Sequence, residues 1–164
     1  MTTLTLKEHL DHAEHFCRSY FNTCGELAPM IDAIDDTGTH HVMLVPQLGG
    51  HDHEKDAIAK ALASFFKEKQ IIQYVMMMEA WALVIKDKKI DPNNAPRPSM
   101  HPNRQEIVAL TGENWKGENI GRHINIDRRS GKPKLTNIAD FGNNDGETKI
   151  SGRFCHLLQK PTQH

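Results

Sequence analysis

Apolar residues recur at intervals of three and four from Leu6 to Cys24, through Leu10, Ala13, Cys17, Tyr20 and Phe21. That spacing lays one stripe along a helix, and Thr5 with Glu8 forms an S/T-x-x-E capping box at its start. An amphipathic helix ending near Gly25 is predicted. The period then shortens. "APMIDAI" and "HHVMLVPQ" are extended runs separated by Asp35, Asp36, Thr37 and Gly38, which is hairpin chemistry. Gly49 and Gly50 break the chain. From about Glu54 to Lys69, Ile58, Leu62, Phe65 and Phe66 describe a second helix.

Residues 71 to 85, "IIQYVMMMEAWALVI", are apolar at both alternating sets of positions, so a strand buried on two faces and lying mid-sheet is predicted. Met76, Met77 and Met78 then fill both of its sides. Prolines 92, 96, 98 and 102 follow, which forbid a strand or helix interior and predict a long exposed loop over 86 to 103. "RQEIVALT", "NIGRHINID" and "KPKLTNIAD" read as further strands, the last two joined at Arg129, Ser130 and Gly131. "TKISGRFCHLL" reads as an edge strand. The order helix, hairpin, helix, strand and mainly antiparallel meander predicts an α+β fold with helices on one face of the sheet. No repeat or linker divides the chain, so residues 1–164 are expected to form one domain.

Charge narrows the function classes. Twenty Lys and Arg nearly cancel 21 Asp and Glu, whereas a general nucleic-acid or membrane-surface binder carries an excess of positive charge. The start, "MTTLTLKEHLDHAEHF", lacks the basic and apolar regions of a signal peptide, and no apolar run has membrane-spanning length, which predicts a cytoplasmic protein without a membrane partner. Cys17, Cys24 and Cys155 are odd in number and form no CxxC, so they read as reduced packing residues. Cys155 next to His156 is no catalytic pair, because neighbours on a strand face opposite ways. Phosphate-loop and G-x-S-x-G signatures are absent.

Three constellations remain. Glu79 shares a strand face with Val75, Met77, Trp81 and Leu83, and a buried carboxylate needs a partner. Arg104, at the start of the next strand, is the expected one, either as a register-fixing ion pair or, with Arg97 and His101, as part of a polar site under the loop. Eleven histidines are the second oddity, with His40, His41, His51 and His53 crowded around the second hairpin strand and the helix after it. His51 and His53, spaced at i and i+2, point the same way on an extended segment. Asp52, Glu54 or Asp56 would complete a site there for zinc or another divalent metal. This H-x-H is similar to the metal site of JAMM-type isopeptidases, but Ala61 and Ser64 stand near the places where that family has a Ser and an Asp. The same residues also suit a solvated helix start capped by Asp52. The third constellation is the tip "RRSGKPK", where Arg128, Arg129, Lys132 and Lys134 form a basic patch suited to a phosphate-bearing ligand or an acidic protein surface.

The run "EAW" followed by "RPSMHPNRQE" resembles small α+β proteins of bacterial and phage genomes in which a Glu-Ala-Trp strand leads to a Pro-Ser, His-Pro and Arg-x-Glu stretch. The resemblance covers about residues 75 to 110, implies a phage or mobile-element origin, and carries over no catalytic residue. Two functions are therefore expected. One is a protein-binding or inhibitory module acting on a host protein, without cofactor, whose contacts are Lys86, Lys88, Lys89, Arg97 and His101 of the loop and Arg128, Arg129 and Lys132 of the hairpin. The alternative is a metal-assisted hydrolase built on His51 and His53, with His101 or Glu79 as general acid or base.

Overall fold

The computed structural model describes residues 3–45, 52–82, 102, 104–142 and 157–158. Helix α1 runs Leu6–Cys24. At its start the Glu8 N–H donates to the Thr5 hydroxyl at 3.2 Å and the Thr5 N–H donates to the Glu8 carboxylate at 2.8 Å, so the predicted capping box is closed. At its end Gly25 adopts φ 74 and its N–H bonds to the Phe21 carbonyl, a left-handed cap that a side-chain-bearing residue would enter at a cost.

The hairpin follows as β1, Met30–Asp35, and β2, His40–Leu44. Its turn is held by the Asp35 carboxylate, which accepts the N–H groups of Thr37 and Thr39 at 2.9 and 3.0 Å. Then come α2, Asp52–Glu68, β3, Ile71–Ala82, β4, Gln105–Asn114, β5, Asn119–Asp127, and β6, Lys134–Gly142. The described strands form one antiparallel sheet in the order β2-β1-β3-β4-β5-β6. The α+β class and the element order predicted from the sequence are those observed. The edge strand predicted at 148–158 falls outside the described residues except for Leu157 and Leu158. Leu157 is buried against the sheet.

β3 explains how the layers are arranged. Val75 and Met77 join a core with Leu10, Ala13, Cys17 and Phe21 of α1, while Tyr74 and Met76 join a separate core with Phe66 of α2. Successive strand residues point to opposite faces, so the two helices cover opposite faces of the sheet instead of sharing one. The physical reason is β3 itself: a strand apolar on both sides must be covered on both. α1 packs on β3 and β4 and reaches β5 and β6. The outward row of β2 on that face stays open, with Val42 and Leu44 63% and 71% exposed.

Candidate functional site

A polar cluster sits inside the α1 face. His9 follows Leu6 by three residues and precedes Ala13 by four, which places it on the apolar stripe, and it is fully buried. Its Nε2 lies 3.1 Å from Oδ2 of Asp32 on β1, and its Nδ1 lies 3.1 Å from Nε2 of Gln73 on β3. The Gln73 amide also donates to the Leu4 carbonyl at 3.2 Å. An amide nitrogen only donates, so in this arrangement Nδ1 of His9 accepts and Nε2–H donates to Asp32. His40, paired with Ile34 across the hairpin and therefore on the same face, brings its Nδ1 to 3.0 and 3.1 Å from the two Asp32 oxygens. Burial works to raise the Asp32 carboxyl, but the hydrogen bonds from His9 and His40 outweigh it and hold it below the usual carboxylate range. One ligating atom from each of His9, Asp32 and His40 lies within 4.8 Å of the other two.

The neighbouring histidine repeats the pairing on the other face. His41 Nε2 lies 2.8 Å from Oδ2 of Asp35, and its ring meets Phe65 of α2 edge-on with centroids 6.1 Å apart. The Thr37 hydroxyl bond, then the His41 bond, hold Asp35 well below the carboxylate range. Consecutive histidines of β2 thus reach two different aspartates of β1, one on each side of the sheet.

The predicted site residues are placed as follows. Glu79 is half-buried, with its side chain 27% exposed; it accepts the Leu27 N–H at 2.9 Å and faces Nη2 of Arg128 at 3.9 Å. Arg104 instead lies over the Trp81 ring, 4.7 Å from its centroid. Strand register gives the reason. Glu79 pairs with Val108 and Trp81 with Glu106, so Arg104 stands beyond Trp81 at the strand end. Arg128, following β5, reaches Glu106 through Nε at 2.9 and 2.8 Å and through Nη2 at 2.6 Å. Arg129 is engaged by Asp127, whose carboxyl falls to about 2 through the Arg129 side-chain bond. Lys132 and Lys134 are exposed. His53 is exposed in the first turn of α2, whereas His51, Lys86, Lys88, Lys89, Arg97 and His101 lie outside the described residues.

A second polar centre underlies α1. Buried Arg122 donates from Nε and Nη2 to Asp140 at 2.7 and 2.9 Å, and from Nη1 to Asp11 and Glu14 at 2.8 and 2.9 Å. The Asp140 bond is the main reason its guanidinium is held above its ordinary range. Arg122 also borders a cleft of about 930 Å³, lined by Leu6, Gln73, Trp115, Lys116 and Phe141 among others.

Sequence patterns did not single out the His9, Asp32, His40 and Gln73 group. Two of its members were legible as polar interruptions, His9 on a helix stripe and Asp32 within "MIDAID". Their meeting depends on which face of β1 turns toward α1, which periodicity leaves open. No protein family, curated protein or solved structure matches the chain.

Proposed function

We propose that this chain is a protein-binding module and that its principal contact surface is the outward row of β2. The carrying observation is the exposure of Val42 and Leu44 side by side on the outermost strand of the described sheet. Apolar side chains on an edge strand are a liability unless something docks there. The partner chemistry that fits is an extended segment of another protein, lying along β2 and placing apolar side chains at alternate positions against Val42 and Leu44. Phe16 of α1 adds to this face. It follows His9 by seven residues, hence lies on the same helix flank, and it is also exposed.

The basic hairpin carries less of the reading than the sequence suggested, because Arg128 and Arg129 are neutralised within the molecule. Lys132 and Lys134 remain as cations for an acidic or phosphate-bearing surface, and the 86–103 loop keeps its place as a second contact. A host protein is the partner class we favour, on the likeness of residues 75 to 110 to bacterial and phage α+β proteins.

The test is a double variant, Val42→Glu with Leu44→Glu, compared with wild type after circular dichroism shows the same fold. A partner captured by wild type, identified and purified, should bind the variant at least about tenfold more weakly, since two apolar contacts are replaced by charge. Equal binding would refute the assignment to β2. A wild-type homodimer dispersed by the variant would make the row a self-association surface instead. Wild type that captures nothing while turning over a small molecule would refute the binding reading altogether.

A further inference from the structure

We propose that His9, Asp32 and His40 form a site for one zinc ion, joining α1 to the edge hairpin. Zinc bonds to imidazole nitrogen and carboxylate oxygen are about 2.0 to 2.2 Å long, so two ligands on a tetrahedron around it stand about 3.3 Å apart. His9 Nε2 and His40 Nδ1 both stand 3.1 Å from the same Asp32 oxygen, Oδ2, within a few tenths of an ångström of that edge. Hydrogen bonding explains those two distances equally well. Because both rings engage the same carboxylate oxygen, their ligating nitrogens are also held near each other. The three donor atoms lie within 4.8 Å of one another, so small shifts of the exposed His40 ring would let one ion reach all three. The rings cross at 83° with centroids 5.9 Å apart, so the two nitrogens approach Asp32 from different directions.

The surroundings suit an ion with one open position. Side-chain exposure rises from 0% at His9 through 15% at Asp32 to 42% at His40, so the cluster is anchored in the core and open at the hairpin. Three protein ligands leave the fourth position for water or for a donor from a docked partner. Two imidazoles and one carboxylate form a donor set zinc accepts, and the single carboxylate offsets half of its charge.

Binding requires His9 to surrender the Nε2 proton and carry one on Nδ1, which must then find an acceptor. Gln73 supplies it by turning its amide over, so that Oε1 instead of Nε2 faces the ring. That turn gives up the 3.2 Å bond to the Leu4 carbonyl, a long one. Each neutral imidazole keeps one proton, moved to the nitrogen that faces away from the ion: from Nε2 to Nδ1 in His9 and from Nδ1 to Nε2 in His40. The exchange is thus a change of tautomer at both rings with no net proton released. Zinc here would tie the helix to the strand whose outward row continues with Val42 and Leu44. The site does not depend on that row having a partner.

The experiment uses full-length, tag-free protein stripped with chelator and titrated with zinc chloride by calorimetry, then with cobalt(II) by visible absorption. One equivalent should bind, with intense cobalt bands of a four-coordinate centre. Asp32→Asn and His40→Ala should each weaken binding at least about tenfold, while the paired change His51→Ala with His53→Ala should leave it unchanged. On the wild type, zinc should shift the imidazole ¹⁵N resonances of His9 and His40 before those of other histidines, a readout independent of whether a variant folds. Absence of saturable binding, retained affinity in His40→Ala, or loss of metal in the His51 and His53 variant would each overturn the proposal.

Discussion

The backbone N–H of Leu27 ends on the carboxylate of Glu79, 2.9 Å away, so the chain leaving α1 is tied to the outer half of β3. Arg128, at 3.9 Å, also faces this carboxylate. The acceptor matters here more than the charge. Glu79→Ala should therefore lose about 1 to 3 kcal/mol in urea unfolding, and Glu79→Gln, which keeps an oxygen for Leu27, clearly less. Equal losses would assign the effect to the charge.

Arg122 holds three carboxylates together beneath α1. Arg122→Met removes the cation and leaves Asp11, Glu14 and Asp140 to repel one another. The expected loss is about 2 to 4 kcal/mol, at the lower end because Asp11 and Asp140 are half-exposed and can be hydrated. The Asp140 carboxyl is lowered chiefly by its Arg122 bond. A group with a lowered folded pKa stabilises the fold above its unfolded value and loses that contribution as pH falls through the folded one. Wild-type stability should thus decline from about pH 4 downward, and more steeply than that of the variant. Parallel urea midpoints over that range would contradict this.

Cysteine chemistry separates the ends of α1. Cys17 is fully buried, and burial pushes its thiol up to about 12, whereas Cys24 is exposed. In a Cys155→Ser background, iodoacetamide at neutral pH should label Cys24 at least about a hundredfold faster than Cys17, because the thiolate is the reactive form. Comparable rates, followed by mass spectrometry, would mean that α1 opens readily.

Gly121 has no room for a side chain. An added Cβ would lie 2.4 Å from the Phe141 ring, which in turn packs edge-on against His123 at 4.5 Å. Gly121→Ala should cost about 1 to 3 kcal/mol through overpacking. The cost should shrink when Phe141→Leu is introduced as well, since the two changes share one space. Strict additivity in thermal melts would show that the strain lies elsewhere.

The capping box at Thr5 and Glu8, the hairpin turn at Asp35 and the double-sided burial of Met76 and Met77 were legible because each is a local pattern. Residues a few positions apart determine it. The side of the sheet that each helix covers was not legible, because it depends on how β1 and β3 pair across a long chain separation. Glu79 shows the same divide. Its need for a partner could be read from the apolar strand around it, but the partner, a backbone N–H with Arg128 nearby, is set by long-range register: β1 on β3, which pairs Met30 with Met77, brings Leu27 there, and β5 on β4 brings Arg128. His9 escaped because one histidine on a helix stripe looks like any packed imidazole until Asp32 and His40 are brought beside it.

β3 is flanked by β1 on one side and β4 on the other, and both packed layers rest on it. The hairpin emerges from the ribosome well before β3 does. Until β3 arrives, the inner edge of β1 has no strand to pair with and α1 has no floor beneath its apolar stripe. The meander that follows cannot join the earlier half without the same strand. Assembly therefore waits on one central event, and fragments cut just before residue 71 should behave as collapsed, sticky chains instead of half-sized folded units.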